Sequence, residues 1–117
     1  MQHLAGAGLQ VDAISFHDGV GERFAVETEN YDLCHNTGGM SIGRLEVAGC
    51  SSGFVLEGLD WSGEWTQYYA PVAEAGTYQV FIKCRGLLDV NYGLRLVFFD
   101  VTPTQDTTWG AIKSLYE

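Results

Sequence analysis

Residues 77–85 read Thr77-Tyr78-Gln79-Val80-Phe81-Ile82-Lys83-Cys84-Arg85. Tyr78, Val80, Ile82 and Cys84 fall on one side of an extended chain, and Gln79, Phe81, Lys83 and Arg85 on the other. That period of two belongs to a β-strand and not to a helix. The same period recurs in 92–99, where Leu94, Leu96 and Phe98 share a face, and in 9–16, 24–30, 40–47, 53–57 and 64–70. Between these stretches stand Gly-rich or polar breaks such as His35-Asn36-Thr37-Gly38-Gly39, Ala48-Gly49-Cys50-Ser51-Ser52-Gly53 and Glu74-Ala75-Gly76. Short strands at a spacing of roughly 8–12 residues predict an all-β sandwich or barrel. The one helical candidate is 109–116. With 117 residues and no linker or repeat, the chain reads as a single domain, 1–117.

Composition narrows the function. The chain is 46% hydrophobic and 18% charged, the balance of a globular domain. Fifteen acids against six bases give a net charge of −9, which repels nucleic acid and anionic membranes but not neutral sugars, and attracts divalent cations. No apolar run approaches the roughly 20 residues that span a bilayer. The first residues lack the basic-then-apolar layout of a signal peptide. Cys34, Cys50 and Cys84 are an odd set. Cys84 reads as a buried small hydrophobe, while Cys34 and Cys50 lie in loop-like sequence where they stay free or pair. His3, His17 and His35 are far apart and form no metal-binding motif, and no nucleophile, phosphate-loop or dinucleotide motif is present.

Two constellations carry chemistry. In Phe24-Ala25-Val26-Glu27-Thr28-Glu29-Asn30-Tyr31, strand geometry puts Glu27 and Glu29 on one face, about 7 Å apart. They read as a solvated face or as oxygen donors to a hard cation such as calcium. A hydrolytic carboxylate pair would need a deep cleft, for which the sequence gives no sign. The second constellation is the aromatic-rich segment from Gly53 to Tyr78, including Trp61, Trp65, Tyr68 and Tyr69. Trp65 and Tyr68 read as framework, and Trp61, between Asp60 and Ser62, as the more exposed ring.

Four ordered motifs, Val26-Glu27-Thr28-Glu29-Asn30-Tyr31, Gly53-Phe54-Val55, Gly63-Glu64-Trp65-Thr66-Gln67-Tyr68 and Ala75-Gly76-Thr77-Tyr78, followed by Arg85, resemble the carbohydrate-binding modules of families 6, 35 and 36. These belong to the galactose-binding-like jelly-roll group, a two-sheet antiparallel β-sandwich. The family's closing strand does not follow Glu117, but Gly8-Leu9-Gln10-Val11-Asp12-Ala13-Ile14-Ser15-Phe16 is similar to it at the other end of the chain. A permuted, excised or truncated domain would each give this arrangement. A homodimer or strand exchange follows if the closing strand is not supplied in cis. The resemblance implies a secreted, non-catalytic module that binds a glycan. It implies a structural calcium on Asp12, Glu27 and Glu29, and a sugar site at Phe54, Trp109 and Gln10, with Trp61 in a second cleft. Phe54 and Gln10 replace the family's Tyr and Asn, and Asp106-Thr107-Thr108-Trp109-Gly110 matches its loop only through the Trp. The alternative is a jelly-roll interaction or structural domain without a sugar ligand.

Overall fold

In the computed structural model, described over residues 1–70 and 75–99, nine strands form two antiparallel sheets packed as a β-sandwich. The strands are β1 (Gln2–Ala5), β2 (Leu9–His17), β3 (Glu22–Glu27), β4 (Leu33–His35), β5 (Gly43–Glu46), β6 (Phe54–Leu59), β7 (Trp65–Gln67), β8 (Gln79–Gly86) and β9 (Gly93–Arg95). One sheet runs β4-β7-β1-β9. The other runs β3-β2-β6-β5, with β8 also paired to β2. The expected helix at 109–116 and Trp109 lie outside the described residues.

β2 organises the molecule. β8 pairs with it from Leu9 to His17. Its opposite edge is shared: β6 pairs through Leu9 and Val11, and β3 from Ala13 onward. The segment that resembles a closing strand is therefore central to a sheet of its own chain.

The changeover falls at Asp12. Against β8, Val11 faces Cys84 and Ala13 faces Lys83, so Asp12 is the extra residue of a β-bulge. A bulge shifts the side-chain alternation by one residue. Leu9 and Val11 are buried before it, and Ile14 and Phe16 after it. A second irregularity, in β6 opposite Leu9 and Val11, contains Gly58 at φ +89°. A Cβ there would meet the Ser41 carbonyl oxygen at 2.3 Å, so only glycine fits.

The core is built from Leu9, Val11, Ile42, Leu56 and Leu59, with Ile82, Tyr92 and Leu94 packed against it. A cleft of about 400 Å³ continues between the sheets beside Ile14, Phe16, Phe24, Trp65 and Phe98. Phe16 stacks on Phe24 with ring centroids 4.4 Å apart. β8 departs from the expected pattern. Cys84 is exposed, not buried, because no described residue covers the outer part of this strand; Val80 and Phe81 are exposed as well. All three cysteines are free thiols.

Candidate functional site

The strand register separates the candidate residues into two groups. Phe54 begins β6 and Trp61 follows its end. Five steps of strand rise, about 17 Å, divide Phe54 from Leu59. The two aromatic rings therefore stand at opposite ends of the strand. Gln10 lies toward the Leu59 end, and Asp12 beyond Val11 toward the other.

At the Phe54 end the sequence brings Asp12, Glu27 and Glu29 to one loop. Thr28, between the glutamates, is fully buried. Its hydroxyl donates to the carbonyls of Val11 (2.6 Å) and Asp12 (3.0 Å), and its N–H donates to Asp12 O at 3.2 Å. The Tyr68 hydroxyl donates to Thr28 O at 2.5 Å. These bonds replace ladder pairing where β3 and β6 part, and they end β3 at Glu27, short of the expected strand over 24–30. Burial of Tyr68 pushes its phenol well above the usual tyrosine range.

The turn between β5 and β6 is closed by Val47 N–H to Gly53 O (2.9 Å) and presents Ser51 and Ser52 to the three acids. Ser51 N–H donates to both Asp12 oxygens, at 3.2 and 3.1 Å. The Ser51 hydroxyl donates to Glu27 Oε1, and the Ser52 hydroxyl to Glu29 Oε2. Glu27 Oε2 and Glu29 Oε1 are buried and have no hydrogen-bond partner among the described residues. Glu29 is only 7% exposed. Among the described residues the cation at this cluster is Lys83, 3.3 Å from Asp12 Oδ2, and its side chain is largely in solvent.

The chemistry of this donor set, carboxylates and hydroxyls with two unpaired buried oxygens, suits a hard cation. The fit is incomplete in one respect. Among the described residues no three acidic, histidine or cysteine side chains converge closely enough to hold one ion, and Asp12 is turned to Lys83.

At the other end of β6 stands Trp61, 56% exposed. Its six-membered ring lies against Gly38, where an added Cβ would be 2.6 Å away; its Nε1 is 2.9 Å from a Cβ placed on Gly39. The glycines make a floor that no larger residue could form. Buried Glu64 holds the turn: Oε1 accepts the N–H groups of Asp60 and Trp61, both at 2.9 Å, and Oε2 accepts Thr37 N–H at 3.2 Å. Asp60 Oδ2 accepts Met40 N–H at 3.2 Å, which ties the two loops together.

Of the other expected sugar residues, Gln10 and Phe54 are engaged within the fold, and Trp109 lies outside the described residues. Gln10 is buried and its Oε1 accepts the Arg85 Nε–H at 2.7 Å. Phe54 is half-buried under the Arg44 guanidinium, 4.5 Å from its ring centre. Trp65 is half-buried and stacks on His35. The inter-sheet cleft contains neither the carboxylates nor Trp61.

The sequence shows Glu64 only as part of the motif at 63–68 and His3 only as a histidine far from the other two. Glu64 three residues after Trp61 is a turn-capping signal visible in the sequence. The placement of His3, 58 residues from Trp61, leaves no local signal. Comparison of the chain with protein-family models, curated proteins and solved structures finds no match.

Proposed function

We propose that this domain is a secreted, non-catalytic carbohydrate-binding module that stacks a sugar ring on Trp61. The observation that carries this reading is an indole more than half exposed on a glycine floor, in a turn fixed by a buried carboxylate. Pyranose C–H faces stack on the electron-rich face of an aromatic ring, and nearby polar groups read the hydroxyls. Asp60 stands beside the ring for that purpose. A rigid platform loses little entropy on binding, which matters for a shallow site of small area. The net charge of −9 suits a neutral glycan. The resemblance to families 6, 35 and 36 supports the same class.

Calcium is the second part of the proposal. Glu27 and Glu29 would hold it through the oxygens now lacking partners, with Ser51 and Ser52 close by. Asp12 would join by exchanging Lys83 for the ion. Asp12 is buried but the Lys83 side chain lies largely in solvent, so Lys83 can swing away and leave the carboxylate to the ion. Calcium would neutralise acids clustered where β3 and β6 part from β2, which is a structural role.

A second reading, an interaction domain without a sugar ligand, draws on Gln10 and Phe54, whose polar and aromatic groups are taken up by Arg85 and Arg44. A glycan array probed with wild-type protein and Trp61→Ala separates the two. Binding that the substitution abolishes supports the sugar reading. Silence across neutral plant and microbial glycans supports the other.

A further inference from the structure

The protonation pattern of His3 follows from its two partners. The ring is fully buried in β1. Its Nδ1 lies 2.8 Å from the Trp61 carbonyl oxygen, and its Nε2 lies 2.6 Å from that of Gly6. A carbonyl oxygen only accepts, so both ring nitrogens must carry a proton to make both bonds. A neutral ring would leave one carbonyl facing a lone pair at contact distance around a fully buried side chain, which is costly.

A buried cation requires an opposite charge. Glu64 supplies it. Its side chain is also fully buried, and it acts purely as an acceptor of three backbone N–H groups, as a carboxylate does. The two residues are joined through the backbone: His3 N–H donates to Glu64 O at 2.7 Å, and Gly63 N–H donates to His3 O at 2.9 Å. The other ionisable groups on the surrounding elements are Asp60 on the same turn, His35 and Cys34 on β4, Arg95 on β9 and the Met1 amino group just before β1. Asp60 is bonded to Met40, Arg95 reaches Gln2, and the Met1 amino group donates to Thr66 O.

We infer that His3 is a doubly protonated imidazolium and that it and the Glu64 carboxylate position the Trp61 platform from its two ends. His3 holds the Trp61 carbonyl while Glu64 holds its N–H, so the two grip the same residue through the peptide groups on either side of it. His3 and Glu64 are thus positioning residues. They touch no ligand themselves. This inference rests on the reading of Trp61 as the sugar platform, but its physical content is tested without a sugar.

The experiment is long-range ¹H–¹⁵N NMR of the full chain at neutral pH. Both His3 ring nitrogens should show protonated-type shifts and slowly exchanging ring protons. A neutral tautomer, with one lone-pair-type nitrogen, overturns the inference. In His3→Gln and Glu64→Gln the Trp61 indole resonance should shift or broaden while that of Trp65 persists; an unmoved Trp61 signal also overturns it. If either variant does not fold, the wild-type ring spectrum still decides. For any glycan that wild type binds, His3→Gln should bind about tenfold more weakly, the loss expected for one buried hydrogen bond. If wild type binds none, the sugar reading fails while the His3 spectrum still stands or falls by itself.

Discussion

Glu29→Gln separates a calcium site from a buried acidic cluster that binds nothing. Without calcium, Glu27 Oε2 and Glu29 Oε1 remain desolvated and unpaired, at about 1–3 kcal/mol each. Two acids close together also repel one another. Calcium at a hundred times its Kd contributes about 2.7 kcal/mol. For a domain of this size each kcal/mol moves the melting temperature by about 4 °C, so the ion should raise it by about 10 °C. Glu29→Gln removes one charged donor from the cage, and the calcium-dependent rise should fall below about 3 °C. In chelator the same substitution should raise the melting temperature, because one unpaired buried charge is gone. Scanning calorimetry in chelator and in calcium, with magnesium as a control, measures all four states. No rise with calcium in wild type, or equal destabilisation by Glu29→Gln in both buffers, would refute the reasoning.

Three further outcomes follow from the packing. Leu56 is fully buried in the core, so Leu56→Ala should cost about 2–5 kcal/mol in denaturant unfolding. Gly58→Ala should destabilise strongly, because the added Cβ meets the Ser41 carbonyl at 2.3 Å and φ is +89°; Ser41→Gly should not relieve it, since the clash is with backbone. Burial raises the Tyr68 phenol above its unfolded value of about 10, so the folded state holds that proton more tightly. Its contribution is complete below pH of about 10 and is lost as pH rises beyond it. Tyr68→Phe should flatten that alkaline decline in unfolding free energy.

Much of the sandwich was readable because alternation reports burial on a pleated surface. The central strand, 9–16, was placed nearly to the residue. Its break in phase between Val11 and Ile14 is the trace of the Asp12 bulge, a feature visible in the pattern only once the pairing is known. β1 and β4 escaped notice because four and three residues are too short for a period to register. The outer strand β8 reversed the usual inference: its alternation is clear, yet Cys84 and Val80 are exposed because no described strand covers them.

The sites divide similarly. The same-face spacing of Glu27 and Glu29 was legible, but their approach to Ser51 and Ser52 depends on Thr28 bonding across to β2, a contact spanning 16 or 17 residues. The family resemblance implies a hydroxyl-reading role for Gln10. The register instead sets it opposite Arg85, which takes its amide oxygen. Trp61 was identified through its polar neighbours. The glycine floor and His3, which help make it a platform, come from segments distant in sequence, whereas Glu64 lies on the same turn.

The sugar reading of Trp61 is tested most directly by titrating neutral oligosaccharides into isotope-labelled protein and following backbone and indole resonances. The account predicts that the largest saturable shifts fall on Trp61, Gly38, Gly39 and Asp60, and that Trp61→Ala removes them with the rest of the spectrum preserved. Shifts centred elsewhere, or none with any glycan while Trp61→Ala leaves every interaction of the protein intact, would contradict it.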